Sequence, residues 1–216
     1  MNLSELGIHI QFDEEDIMKA SAIIIGPKDT PYENGILYFI IEFPRNYPFS
    51  PPKIGYLSHS RYRIHPNLYV GKPSEDFKGK VCLSILNTWS GPKWTTVMHV
   101  GSVLVSIQSL LDENPLRNEP GFEKEKSLRN TNYNRVVEYD TYQQLIYKNC
   151  LLIGLDFKGF EEIIQDHIKK NKETILSKLD HLCKKNEKEK KISLDIYNIN
   201  ISLDYQWVRS RIKLKI

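Results

Sequence analysis

The sequence predicts an α/β protein of the α+β kind, in which a meander of strands comes first and helices follow. Three observations predict it. Apolar runs bounded by turn residues fill Ser21 to Ile54, regular periodicity fades between Tyr56 and Trp94, and apolar spacings of three and four return from Val97 onward.

The first residues, "MNLSELGIHIQFDEED", have no basic start ahead of an apolar stretch and soon turn acidic, which argues against a signal or transit peptide. Strands are predicted at "SAIIIG", at "GILYFIIEF" and in a run beginning at Pro52. Between the first two, Asn34-Gly35 predicts a type I′ hairpin turn, because both residue types tolerate positive φ. "FPRNYPFSPPK", Phe43 to Lys53, holds too many prolines for a central strand or a helix and predicts a rigid, aromatic-packed turn.

In "VMHVGSVLVSIQSLL", the spacing of Val97, Val100, Leu104, Ile107 and Leu111 predicts a helix with that face buried, capped by Thr95 or Thr96. "DENPLRNEPGF" breaks it. A second helix is expected from about Asn132 to Leu152, ending near Gly154, which divides the chain into a core, 1–152, and a C-terminal extension, 153–216. The extension is expected to be helical from Phe160 to about Cys183, with Ile163, Ile164, His167, Ile168, Ile175 and Leu179 on its packing face. "KKNEKEKKIS" follows as a solvated linker or helix face, and then a short apolar-basic tail.

With 216 residues the chain is long enough for one substantial core, and 40% hydrophobic with 26% charged residues is an ordinary globular composition. A net charge of +3 without a clustered basic face gives no footprint for nucleic acid, and no apolar run reaches membrane-spanning length. Cys82, Cys150 and Cys183 are odd in number and lack any CxxC or CxxH pairing, so neither a disulfide framework nor a metal site is expected. A reducing compartment fits, the cytoplasm first and the nucleus second.

The stretch "HPNLYVGKPSEDFKGKVCLSILNTW", His65 to Trp89, is where chemistry is expected. Within "GKVCLSIL" alone, Cys82 reads equally as a small core hydrophobe or as a nucleophile. "GKPSEDFKGK" suggests phosphate binding only superficially, since Val81 follows Gly79-Lys80 and breaks the Walker spacing.

Taken in order, "GPKDTPYENGILYFIIEFPRNYPFSPPK", "HPN", "GKVCLSIL", a downstream Trp and "SVLVSIQSLLDENP" resemble the ubiquitin-conjugating enzyme family over roughly Ala20 to Leu152. "TWSGPKW", "NEPGFE" and, near the end, "LDYQ" are most similar to the larger, class IV-type branch with a C-terminal extension. The resemblance implies the family's α/β (α+β) fold, a four-stranded antiparallel meander with helices on one face. It also implies that Cys82 takes ubiquitin from an activating enzyme as a thioester and passes it to a substrate lysine or a ligase cysteine.

Asn67 is then the candidate that donates to the oxyanion or braces the loop. His65, Pro66 and Trp94 are structural supports, and Tyr56, Thr95, Thr96 and Val97 occupy ligase-contact positions. No cofactor or metal is implied, because ATP is consumed by the activating enzyme. The partners implied are ubiquitin or a ubiquitin-like protein, the activating enzyme, a ligase and protein substrates.

The chain departs from the family at four places. The cysteine lies fifteen residues after Asn67 (82 − 67) rather than about eight. Lengthening a flexible loop to that degree costs only about 0.6 kcal/mol, and the added residues are expected to bulge beside the thiol as a passive insertion, a gate or a partner contact. Acidic positions near the cysteine and after "NP" read Ser84 and Leu116 or Arg117, leaving Glu119 and Glu123 as substitutes and implying weak intrinsic discharge to lysine. "WTTV" lacks the family's usual "SPA" word, and few residues precede the first predicted strand, so most of the customary N-terminal helix is missing. Two other readings stand beside the enzyme: a catalytically silent binding module of the same fold, and a conjugating enzyme for another ubiquitin-like modifier.

Overall fold

The longest apolar runs become the middle of a four-stranded antiparallel sheet ordered β1-β2-β3-β4. The computed structural model describes residues 2–70, 79–152, 159–186 and 190–216. The strands are β1 (Ile8–Phe12), β2 (Lys19–Ile25), β3 (Ile36–Glu42) and β4 (Lys53–Leu57). In β3, Ile36, Leu37, Tyr38, Phe39 and Ile41 are all buried, because both faces of this strand are covered and its sequence need not alternate. β1 is an addition to the strands predicted from residues alone. It pairs with β2 from Ile8 opposite Ile24 to Phe12 opposite Ala20, and its burial fades toward Phe12, which is 49% exposed. Before it, Leu3–Leu6 forms a single 3-10 turn.

The two-residue turn expected at Asn34-Gly35 does not form. Asn34 is left-handed at φ 64°, but Gly35 is not, and ten residues, 26–35, join β2 to β3. The glycines serve close approach instead. The Gly26 amide donates to the Gly35 carbonyl at 2.8 Å, and a Cβ on Gly26 would lie 1.8 Å from the Tyr32 carbonyl oxygen. A Cβ on Gly35 would lie 2.9 Å from the side chains of Leu145 and Thr141.

The proline-rich turn packs as expected. Phe43 and Tyr47 meet edge to face at 5.0 Å, Tyr47 meets Trp94 at 6.0 Å, and the Trp94 indole N–H donates to the Pro48 carbonyl at 2.7 Å. α1 (Val100–Leu110) buries Val103, Leu104 and Ile107, with Leu111 just beyond it. Its cap is His99, not Thr95 or Thr96: His99 and Ser102 each accept from the other's backbone amide, satisfying donors that the first turn leaves open. Val97 therefore precedes the helix and is 87% exposed, against the expected burial.

α2 (Leu128–Asp140) starts four residues before Asn132, where the Ser127 hydroxyl accepts from the Arg129 amide, and it continues as a π-helical run, Thr141–Leu152. Gly154, the expected helix end just past the expected boundary, lies outside the described residues.

α3 (Glu161–Lys185) buries Ile164, Ile168, Ile175 and Leu179, as their spacing predicts. The extension is not wholly helical, however. β5 (Lys190–Leu194) and β6 (Ile199–Leu203) form an antiparallel hairpin before α4 (Tyr205–Lys213). Part of the lysine-rich run is thus a strand, with Ile192 and Leu194 buried two apart, a period hidden in the sequence by the charges around it. The buried residues of core and extension form one hydrophobic cluster. Aromatic pairs join them: Phe160 with Tyr38 at 6.3 Å, Tyr205 with Tyr139 at 5.2 Å and Trp207 with Tyr147 at 5.9 Å. Among the described residues, no helix is long and apolar enough to cross a membrane.

Gly26→Ala should destabilise the protein by about 1–3 kcal/mol, since the obstacle is backbone that cannot swing aside. Urea unfolding followed by circular dichroism measures this, and an unchanged midpoint would show that the loop gives way.

Candidate active site

Three elements hold the chain where it enters the "HPN" segment. The buried Tyr32 hydroxyl, from the loop before β3, donates to the Ile64 carbonyl at 2.7 Å. The Tyr133 hydroxyl on α2 donates to the Arg63 carbonyl at 2.8 Å. His65 Nε2 donates to the Leu110 carbonyl at the end of α1 at 2.9 Å, while its Nδ1 accepts from the Asn67 amide at 3.0 Å. Those partners fix a neutral imidazole protonated on Nε2. Desolvation lowers the His65 pKa to about 3, so the ring is a brace rather than a base. Pro66 is buried and its carbonyl accepts from the Arg63 guanidinium.

From Asn67 the chain runs beside the segment that carries Cys82. The Tyr69 amide donates to the Lys80 carbonyl at 3.0 Å, Leu68 bridges Val81, and the Cys82 amide donates to the Asn67 carbonyl at 2.8 Å. Asn67 Nδ2 donates in turn to the Cys82 carbonyl at 2.7 Å. Asn67 and Cys82 are thus bonded reciprocally, backbone to backbone and side chain to backbone. Cys82 is 1% exposed. Of the loop expected to bulge beside it, residues 71–78 lie outside the described ones.

The far side of Cys82 depends on Thr88, which the sequence reading missed. Its hydroxyl donates to the Val81 carbonyl at 2.7 Å and accepts from the Leu83 amide at 2.9 Å. One side chain therefore pins the backbone on both sides of the thiol. The chain returns to it through a 3-10 turn, Ser84–Leu86, and a left-handed Asn87 at φ 59°. The signal was a Thr after an Asn, six residues past the cysteine (88 − 82), where short polar side chains turn the chain and bond backbone.

Other expected residues are placed differently. Trp94 supports the proline-rich turn, and Thr95, Thr96 and Val97 lie exposed where a partner can reach them. Tyr56 does not: it is fully buried against Phe39 at 5.5 Å, correcting its assignment as a ligase contact, because β4 turns it into the core. Glu119 is half-buried and accepts a hydrogen bond from the Tyr197 hydroxyl of the extension, whereas Glu123 is exposed. Burial raises the pKa of the Cys150 thiol, whose Sγ sits 3.0 Å from the Leu145 carbonyl, so it stays protonated and a poor nucleophile.

The family model described as "Ubiquitin-conjugating enzyme" matches residues 1–143. The chain belongs to the ubiquitin-conjugating enzyme family. It is 44% identical over 138 residues to ubiquitin-conjugating enzyme E2 Z of Danio rerio, covering 62% of this chain and 40% of that one. It is 43% identical over 138 residues to the Homo sapiens E2 Z, covering 62% and 37%. Human BIRC6, a dual E2 ubiquitin-conjugating enzyme/E3 ubiquitin-protein ligase, is 40% identical over 177 residues, 76% of this chain and 3% of that protein. The chain therefore spans well under half the length of these relatives. Among solved structures, a ubiquitin conjugating enzyme E2 domain from Toxoplasma gondii matches with a TM-score of 0.50 at 25% identity, covering 66% of this chain and 90% of that one.

Between the folded pKa of about 3 and the unfolded value of 6.5, the unfolded chain binds the proton that His65 refuses in the folded state. Stability on this account falls as pH drops, by about 2 kcal/mol from pH 6.5 to 5. Buried Asp140, pushed up to about 7 by desolvation, works in the opposite direction, so wild type must be compared with His65→Gln at each pH. Wild type should lose this stability relative to the variant in urea titrations, and parallel profiles would contradict the neutral brace.

Proposed function

We propose that this chain is a ubiquitin-conjugating enzyme that carries ubiquitin on Cys82, a reading carried by the reciprocal hydrogen bonding of Asn67 and Cys82 at the mouth of the 68–81 loop. The Cys82 thiolate attacks the thioester carbonyl of activated ubiquitin, a new carbon–sulfur bond forms, and the activating enzyme's thiolate leaves. Transfer to a ligase cysteine follows by the same exchange, whereas a substrate amine attacks the Cys82 thioester carbonyl to form a carbon–nitrogen bond, loses a proton and expels the Cys82 thiolate. Because Cys82 is 1% exposed, acceptance requires the surrounding side chains to part.

Asn67 serves first as the brace of this segment, since its Nδ2 is already committed to the Cys82 carbonyl. Thr95, Thr96 and Val97 form a ligase-facing edge. ATP is spent by the activating enzyme, and this chain needs no bound cofactor. Three free cysteines support a reducing compartment, the cytoplasm or nucleus.

Purified protein incubated with ubiquitin, ATP and a panel of activating enzymes should yield a reductant-sensitive adduct. Cys82→Ala should abolish it and Cys82→Ser should give a reductant-resistant ester. An adduct only with another ubiquitin-like protein would reassign the modifier. No adduct from any activating enzyme, with ubiquitin still bound, would make the chain a silent binding module.

A further inference from the structure

The hairpin of the extension ends on the active-site frame rather than in solvent. Between β5 and β6, Tyr197 takes φ 58° and ψ 16°, and Asn198 follows at φ 48°. Left-handed backbone is unusual for an aromatic residue and persists where surrounding contacts hold it. The contacts here are specific. The Tyr197 ring lies 4.6 Å from the Arg63 guanidinium and 5.9 Å from the ring of Tyr133, and its hydroxyl donates to Glu119. The neighbouring Asn200 carbonyl accepts from the Tyr62 hydroxyl.

Arg63 also lies 3.5 Å from the ring of Tyr69, the second residue of the segment leading into the long loop, and donates to the Pro66 carbonyl. A guanidinium against two aromatic faces is attracted by both and loses freedom of rotation. Tyr69, just ahead of the inserted residues, and Tyr197, from the extension, therefore meet on one arginine, which bonds the carbonyl of the residue next to Asn67.

We propose that the C-terminal extension is a positioning element for the active site, in which Tyr197 clamps Arg63 against Tyr69 and so fixes the Pro66-Asn67 turn that holds Cys82. Neither residue touches the reacting atoms; both act through Asn67. The functional half of this inference rests on the carrier reading, whereas the clamp itself does not.

Two measurements on the full chain separate them. The first is the rate at which iodoacetamide alkylates Cys82, read by mass spectrometry of its peptide, which needs no ubiquitin. The second is single-turnover discharge of the preformed thioester to a free amine. Tyr197→Ala should speed alkylation and slow discharge, each by about tenfold, the scale of one partly desolvated cation–ring contact. Tyr197→Phe keeps the ring and should restore both rates to within about twofold of wild type, a recovery that loss of the hydroxyl bond to Glu119 would not allow if that bond were the important one.

Arg63→Met, which removes the shared charge and leaves the extension's own residues unchanged, should repeat the alanine result if Tyr197→Ala folds poorly. Alkylation at the wild-type rate in folded Tyr197→Ala or Arg63→Met would overturn the clamp, as would a Tyr197→Phe as impaired as the alanine variant. Absence of thioester in wild type, with altered alkylation in the variants, would sink the carrier reading and leave the clamp standing.

Discussion

The reciprocal pairing of Asn67 with Cys82 is the constraint around which the rest of this structure is arranged. Two backbone hydrogen bonds between residues 67–69 and 80–82, which flank the Leu68–Val81 bridge, would be too few to hold a ribbon in water by themselves. The Asn67 side chain adds a third tie, buried, directly to the Cys82 carbonyl. Leaving that carbonyl unpaired would cost about 1–3 kcal/mol, enough to matter in a segment this short. These ties explain how a pair with fourteen residues between them can touch.

Everything around this pair supplies fixed points for it. Tyr32 comes from the loop between β2 and β3, Leu110 from the end of α1, Tyr133 from α2 and Thr88 from the turn after the thiol. Tyr32, Tyr133 and Thr88 bond backbone of the segment, and the Leu110 carbonyl accepts from the His65 ring, so the segment is fixed in position without being part of a regular sheet or helix. Burial of these groups makes each bond costly to break and keeps their protons where the bonding needs them: desolvation holds the tyrosines neutral and His65 unprotonated. The extension joins the same scheme through Tyr197 and shares the hydrophobic cluster of the sheet.

Much of this was legible in the sequence, and the parts that were not share a cause. The strands of the central sheet and the faces of α1 and α3 were readable because apolar periodicity reports burial directly. Cys82 and His65 stood out as scarce residue types, and Asn67 because it sat with them in ordered words. β1 and β5 were hidden because five residues bordered by acids or lysines carry little pattern of their own and are made strands by their partners. Asn34-Gly35 misled because glycine can mean positive φ or close approach, and only the packing of Thr141 and Leu145 decides between them. Tyr56 misled similarly, since a sequence position matched to a surface says nothing of which face its strand presents here. Thr88 and Arg63 act through backbone carbonyls, and no residue pattern marks which carbonyl a side chain will find.

The most direct test of the central claim is native-state hydrogen exchange at the Cys82 amide, compared between wild type and Asn67→Ala. If the Asn67 side chain holds the segment, removing it should speed exchange at Cys82 by about tenfold while amides in β3 and α3 exchange as before. Unchanged exchange at Cys82 in the variant would mean that the backbone ladder alone positions the thiol, and that the pairing at the heart of this account is incidental.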